Sequence, residues 1–253
     1  MADKVRLGLI GLGNMGSLHC RLLQNIPELE LVAGCDIDEH RLNRVTARYG
    51  CEGFVDAREL LKARICDAVL VATPHYSHTT IGIQALKRGY HLMVEKPISV
   101  HKADAARLIN AHQRSDRVFA AMFNQRTNPA YLKIKEMIIS GELGEVRRVH
   151  WTITDWFRSQ AYYDSGGWRA TWSGEGGGVL LNQCPHQLDL LQWLFGVPET
   201  VQAFCRFGKH HQIEVEDEVT AFLEYSNGST GVFTTTTSET PGINRRRDRR
   251  DDF

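Results

Sequence analysis

Near the amino terminus, Gly11-Leu12-Gly13-Asn14-Met15-Gly16 places three glycines at the spacing Gly-x-Gly-x-x-Gly, after the apolar run Val5, Leu7, Leu9, Ile10 and before apolar residues at helical spacing (Leu18, Leu22, Leu23, Ile26). This is strand, turn and helix. Gly11 permits the tight turn, Gly13 lets an anion reach bare backbone, and Gly16 lets the helix lie close to the strand. The turn residues Asn14 and Met15 open the helix, whose free N–H groups and dipole attract phosphate without a lysine. Asp36 follows a second strand at roughly the twenty-residue interval where a carboxylate accepts from an adenosine ribose. The pattern predicts a dinucleotide site, with NAD favoured because a 2′-phosphate would meet Asp36. Arg41 and Arg44, which could reach back to such a phosphate, keep NADP as the alternative to set against their reading as solvated helix charges.

A second group of residues suits proton and hydride chemistry. Oxidising a secondary alcohol requires a base for the hydroxyl proton and a cation near the same oxygen while the hydride leaves carbon. Lys96 follows a short buried strand and precedes Pro97, which sets its ammonium at a strand end; the competing reading is a surface charge. Asn182 and His186, four residues apart, fall on one face of an expected helix over 179–195, with Asp189 three residues further on. A lone helical histidine also serves as a structural hydrogen-bonder, but the glycines 176–178 just before it would allow cofactor and substrate to come close. Asparagine is no base, yet it can hold a hydroxyl. Around these lie Trp151, Trp156, Tyr162, Tyr163, Trp168 and Trp172 with Arg158 and Arg169; each aromatic reads equally as sheet core or as a face for sugar C–H groups. His75, His78 and the cysteines have no metal-ligand spacing, so no metal is expected.

The elements that must position these groups alternate. Apolar strands near 5–10, 29–35, 51–54, 68–72, 91–94 and 118–122 are separated by helical stretches, which predicts a doubly wound parallel sheet over about the first 120 residues. Ligands of such sheets collect at the carboxyl ends of strands, where Gly11, Asp36, Thr73, Lys96 and Asn124 fall. After a helix over 129–140 the period changes to two. Runs at 145–156, 201–207, 219–225 and 230–238, the last pair joined across Asn227-Gly228, predict an antiparallel sheet with the 179–195 helix inserted. The chain is therefore read as α/β: a Rossmann domain over 1–123, an α+β domain with a mostly antiparallel open sheet over 124–244, and a charged tail over 245–253. That tail, Arg-Arg-Arg-Asp-Arg-Arg-Asp-Asp-Phe, reads as disordered.

Composition narrows the class. Thirty Lys+Arg balance thirty Asp+Glu and 42% of the 253 residues are hydrophobic, which supports a packed globular protein and argues against nucleic acid or membrane surfaces as partners. No stretch approaches the roughly 20 apolar residues of a membrane span, and Met-Ala-Asp-Lys does not open a signal peptide. Six cysteines without a C-x-x-C pair fit reduced thiols, hence a cytoplasmic setting.

Taken together, the glycine motif, Thr73-Pro74-x-x-x-His78, Glu95-Lys96-Pro97, Gly166-Gly167-Trp168-Arg169 and Gly176-Gly177-Gly178 followed by His186 resemble the glucose-fructose oxidoreductase, inositol dehydrogenase and MocA family over residues 4 to about 244. The resemblance implies an NAD(P)-dependent oxidoreductase acting on a secondary hydroxyl of a sugar, sugar acid or cyclitol. In it, Thr73, Pro74, His78, Glu95, Lys96 and Asn124 join the glycine turn in holding the cofactor. Lys96, Asn182 and His186 act in catalysis, with His186 as base, and Arg169, Trp168, Tyr163 and Arg158 meet the substrate. The Asn182 position is commonly aspartate in the family, which leaves a non-catalytic dinucleotide sensor as the rival reading. Family members also run on beyond this length and often form dimers or tetramers through the second sheet. The departure at 245 accordingly reads as a truncation or frameshift that leaves that sheet incomplete.

Overall fold

A computed structural model describes residues 4–249, in two compact units that divide between Met122 and Phe123. The first unit runs β1 (Val5–Ile10), α1 (Asn14–Leu23), β2 (Leu29–Cys35), α2 (Glu39–Tyr49), β3 (Glu52–Phe54), α3 (Ala57–Ala63), β4 (Ala68–Val71), α4 (His75–Lys87), β5 (His91–Val94), α5 (Lys102–Asn110) and β6 (Phe119–Ala121). Its six strands are parallel in the order β3-β2-β1-β4-β5-β6. The order reverses between β1 and β4, so the carboxyl ends of these two strands border the crevice where such sheets bind ligands. Side-chain alternation sends Leu7, Leu9 and Leu70 to one face, against Leu12, Cys20, Leu42 and Val45. Ile10, Val69 and Val71 go to the other, against Leu60, Leu86 and Leu108. Each fully buried aliphatic side chain contributes about 1.5–3 kcal/mol, and burial on both faces explains why these strands read as continuous apolar runs.

The second unit begins with a 3₁₀ turn (Asn124–Thr127) and continues through α6 (Pro129–Ile139), β7 (Arg148–Ile153), α7 (Gln160–Asp164), a π-helical turn (Val179–Gln183), α8 (Pro185–Phe195), β8 (Thr200–Phe207), β9 (Glu216–Glu224), β10 (Thr230–Thr236) and β11 (Asn244–Arg249). Its five strands are ordered β11-β7-β10-β9-β8, antiparallel except for the β7/β10 pair. One face carries Trp151, Ile153, Val219, Leu223 and Phe233 under Val179, Leu190 and Leu191. The opposite face is open, with Phe204 and Phe222 exposed. No helix among the described residues is long and apolar enough to cross a membrane.

Two expectations are corrected here. The single helix over 179–195 is broken: a π turn ends at Cys184 (φ −99°, ψ 8°) and α8 starts at Pro185, whose ring disfavours the helical conformation in the residue before it. Apolar periodicity runs across the break and hides it. The charged segment from 245 is not a disordered tail as far as residue 249, because 244–249 pairs antiparallel with β7; residues 250–253 lie outside the described residues. The chain is delivered to that edge by Ile243, whose carbonyl accepts from the Thr154 N–H at 2.6 Å and whose N–H donates to the Thr154 Oγ1 at 2.9 Å. Trp151 Nε1 donates to Asn244 Oδ1 at 3.2 Å. Backbone pairing of this kind does not depend on side-chain polarity, so composition could not announce it.

Candidate functional site

In the first unit the glycines divide their work. Gly11 has φ +92°, and a Cβ there would lie 2.7 Å from the Ala72 carbonyl; a Cβ on Gly16 would lie 1.9 Å from the Gly11 oxygen. Both are required by the strand–turn–helix approach itself. Gly13 differs: nothing lies within 4 Å of where its Cβ would be, so its backbone faces open space. Helices α2 and α3 are capped by Asp38 and Asp56. Helices α1 and α4, which follow β1 and β4 at the topological switch, have no side-chain cap. The positive end of the helix dipole at such a start suits an anion. Asn14 and Met15 stand exposed in the first turn of α1, and Pro74 is the residue before α4. The Thr73 hydroxyl, buried at the end of β4, has no hydrogen-bond partner among the described residues. An open glycine, two uncapped helix starts and an orphaned hydroxyl fit a dinucleotide phosphate and ribose.

Asp36 is 7% exposed, and its two oxygens accept from the Leu12 N–H at 2.7 Å and the Asp38 N–H at 2.8 Å. It therefore braces the glycine turn through the Leu12 N–H. Arg41 pairs with Asp38 at 3.2 Å. Arg41 and Arg44 line, with Arg21 and Arg48, a cavity of about 240 Å³ beside Leu12 and Ser17. His78 is fully buried, bonded through its two ring nitrogens to the carbonyls of Pro97 and Thr73, both at 2.8 Å. It links the segment after β4 to the segment after β5. Burial pulls its ring below the ordinary imidazole range against the pull of those carbonyls. Glu95 is likewise buried; Nε2 of His19 on α1 lies 2.6 Å from its Oε1, and its Oε2 accepts the Lys96 N–H at 3.0 Å. Burial raises the Glu95 carboxyl, but the bonds from His19 and Lys96 outweigh it and hold the group below the usual carboxylate range. The pair ties the glycine helix to the turn that presents the half-buried Lys96.

In the second unit His186 is the second residue of α8, partly buried, with its ring edge-on to Phe123 (6.1 Å between centroids, 86°). Asn182 sits in the π turn, so the two do not share one face of a regular helix. Its Nδ2 donates to Oε1 of Glu175, which is 1% exposed and whose Oε2 accepts the Ala170 N–H at 2.8 Å. An aspartate at 182 would place one carboxylate against another, so asparagine complements Glu175. Asp189 forms a two-pronged pair with Arg126 at 2.6 and 2.7 Å, and the exposed Asn124 lies in the same 3₁₀ turn as Arg126. Where the sequence led us to expect room for a ligand, Gly177 and Gly178 are packed against protein. A Cβ on Gly178 would lie 2.0 Å from the Glu216 oxygen and one on Gly177 2.9 Å from Leu181 Cβ, so the run exists for packing. The buried Glu216 carboxylate accepts the Gly178 and Leu180 N–H groups at 3.0 and 3.1 Å.

Between β7 and the glycine run lies an alternating stack. Arg158 lies over the Trp156 ring (5.5 Å) and the Tyr162 ring (4.9 Å), while Arg169 lies over Tyr162 (4.6 Å) and Trp168 (4.8 Å). Arg169 also donates to the Tyr162 hydroxyl at 2.8 Å. Arg158 Nε and Trp156 Nε1 are buried without a partner among the described residues, and each such donor costs about 1–3 kcal/mol until an acceptor arrives. Tyr163 is turned inward: its hydroxyl meets Thr237 Oγ1 at 2.9 Å, and burial pushes it up to about 12. A cavity of about 400 Å³ is lined by Tyr163, Gly166, Arg169, Thr171 and Glu214, among others.

Two family descriptions match the chain: "Oxidoreductase family, NAD-binding Rossmann fold" over residues 5–123, and the GFO/IDH/MocA C-terminal domain over residues 131–247. The chain belongs to the Gfo/Idh/MocA family. The myo-inositol 2-dehydrogenase of Thermotoga maritima is 27% identical over 90% of this chain and 67% of its own length. Inositol 2-dehydrogenase 4 of Saccharopolyspora erythraea is 32% identical over 76% of this chain and 54% of its own. The crystal structure of the WlbA dehydrogenase from Bordetella pertussis, in complex with NADH and UDP-GlcNAcA, superposes with a TM-score of 0.92 at 29% identity, covering 98% of this chain and 78% of that one. The chain thus spans between about half and four-fifths of these relatives.

Within this Gfo/Idh/MocA chain the sequence reading missed His19, Glu175 and Glu216. All three are buried, and two are supplied from a distance: His19 lies 76 positions from Glu95 and Glu216 lies 38 from Gly178, whereas Glu175 lies 7 from Asn182. Only the rarity of unpaired buried carboxylates could have hinted at them.

Proposed function

We propose that this Gfo/Idh/MocA chain is an NAD-dependent dehydrogenase that oxidises a secondary hydroxyl of a sugar, sugar acid or cyclitol. NAD, when bound, accepts the hydride. The α1 and α4 helix starts, Gly13, Thr73 and Asp36 hold it, and Lys96 stabilises the oxyanion that develops on the substrate. His186, in the first turn of α8, takes the hydroxyl proton, and Asn182, steadied by Glu175, hydrogen-bonds a substrate hydroxyl. The observation that carries this reading is the open Gly13 between uncapped helix starts and a partnerless Thr73 hydroxyl, in a chain whose family is NAD-binding. The relatives are dehydrogenases and give no support to a non-catalytic sensor.

The reading extends to a cytoplasmic protein, supported by six free cysteines. It also extends to a dimer or tetramer through the open sheet face, supported by exposed Phe204 and Phe222. The test is reduction of NAD and of NADP over a panel of polyols, sugars and sugar acids. Lys96→Ala and His186→Ala are expected to lose turnover by about 10²–10⁴-fold with NADH affinity retained; unchanged turnover in either variant refutes the role given to that residue.

A further inference from the structure

Arginine ion pairs are frequent at this protein's surface, yet neither Arg158 nor Arg169 has a carboxylate within ion-pairing distance among the described residues; each is held by aromatic faces and one neutral oxygen. Stacking occupies the faces of a guanidinium and leaves the N–H groups in its plane available. Arg169 spends one on the Tyr162 hydroxyl, and Arg158 spends one on the Phe157 carbonyl at 2.8 Å. The Arg158 Nε and the neighbouring Trp156 Nε1 are both buried and both lack an acceptor. Two like charges on one tyrosine ring, beside two buried donors with nothing to receive them, lack an anion.

The backbone beneath them is fixed. The Arg158 N–H donates to the Thr237 carbonyl at 2.8 Å, and its carbonyl accepts from Nε2 of His211 at 2.9 Å. His211 is anchored through Nδ1 to Asp217 at 3.1 Å, a carboxylate with no exposure that also accepts three successive backbone N–H groups from Lys209 to His211. A rigid support under an unsatisfied cationic group is how a binding site is preorganised.

We propose that Arg158 and Arg169, stacked on Tyr162 between Trp156 and Trp168, form an oxyanion site that takes a carboxylate or phosphate of the substrate, so that an acidic sugar is preferred to a neutral polyol. This rests on the reading of the second unit as the one that receives the substrate. A planar fork suits either anion, because carboxylate and phosphate both offer two oxygens at matching separation.

All five tryptophans belong to the second unit, so their emission reports on this region. The full chain is titrated with glucuronate, with inorganic phosphate and with glucose as the neutral control. A saturable change is expected with at least one anion at concentrations about tenfold or more below any response to glucose, and Arg158→Gln and Arg169→Gln each weaken it by about tenfold or more. A response to glucuronate alone selects the carboxylate, and a response to phosphate alone selects the phosphate. Arg158→Lys, which keeps charge without the fork, retains only part of the affinity. Circular dichroism checks folding, and should Arg158→Gln not fold, Arg169→Gln decides. No saturable response to either anion, an equal response to glucose, or an undiminished response in the folded variants overturns the proposal. NADH titration in parallel bears on the dehydrogenase reading alone, so the two can fail separately.

Discussion

The two glycine-rich segments look alike in sequence and do opposite things. In the first unit Gly13 has nothing within 4 Å of its missing Cβ; in the second, a Cβ on Gly178 would lie 2.0 Å from a backbone oxygen of Glu216. One glycine borders open space, whereas the other lets two stretches of backbone touch. The neighbouring polar groups follow suit. In the first unit the Thr73 hydroxyl has no partner among the described residues and the α1 and α4 starts have no side-chain cap, but around Gly178 the carboxylates of Glu175 and Glu216 are filled from within. The comparison teaches that a glycine motif marks close approach, and that only the surroundings say whether a cofactor or the chain itself makes it.

The sharpest way to break this comparison is to add the same methyl group to both. Gly178→Ala drives a Cβ into backbone that cannot yield and should cost at least about 3 kcal/mol, while Gly13→Ala should leave stability within about 1 kcal/mol. Chemical denaturation of both variants measures this, and equal losses would erase the distinction.

A smaller effect tests whether Asn182 is matched to Glu175. Asn182→Asp sets two carboxylates at hydrogen-bonding distance, which raises the folded-state value of one of them. A group raised in the folded state favours folding when protonated and loses that contribution as pH rises through its folded value. The variant should therefore match the parent in acid and fall behind by about 1–3 kcal/mol at neutral pH, as followed by urea unfolding across that range. A deficit independent of pH would mean that Glu175 does not face residue 182.

The smallest effect concerns Ala170, buried at φ +52° with its N–H on Glu175. Glycine there relieves left-handed strain but gains unfolded-chain entropy, so Ala170→Gly should stabilise by only roughly 0.5 kcal/mol. A melting temperature that falls instead would show that the alanine methyl packs usefully.

Legibility divides along the same line as the glycines. The parallel sheet was readable because β1, β4 and the turn after them carry their signals within a few residues: apolar runs, glycine spacing, Asp36 at its interval. The break at Cys184 had a local signal in Pro185, which apolar periodicity on both sides concealed. Strand β11 had none, since pairing along β7 satisfies backbone groups whatever the side chains. His78 was visible as part of a motif, but its two carbonyl partners, and with them the link it makes, come from Thr73 and Pro97 brought together only by folding. The same holds for Tyr163, whose hydroxyl turns inward to Thr237.

The central claim is that Gly13 and the helix starts beside it cradle the cofactor, and NADH titration of the parent chain and of Gly13→Ala tests it most directly. The account predicts saturable binding of one NADH per parent chain and an affinity about tenfold or more weaker in a variant that melts like the parent, because a methyl group stands where the pyrophosphate meets backbone. No saturable binding to the parent chain, or equal affinity in the two proteins, would contradict it.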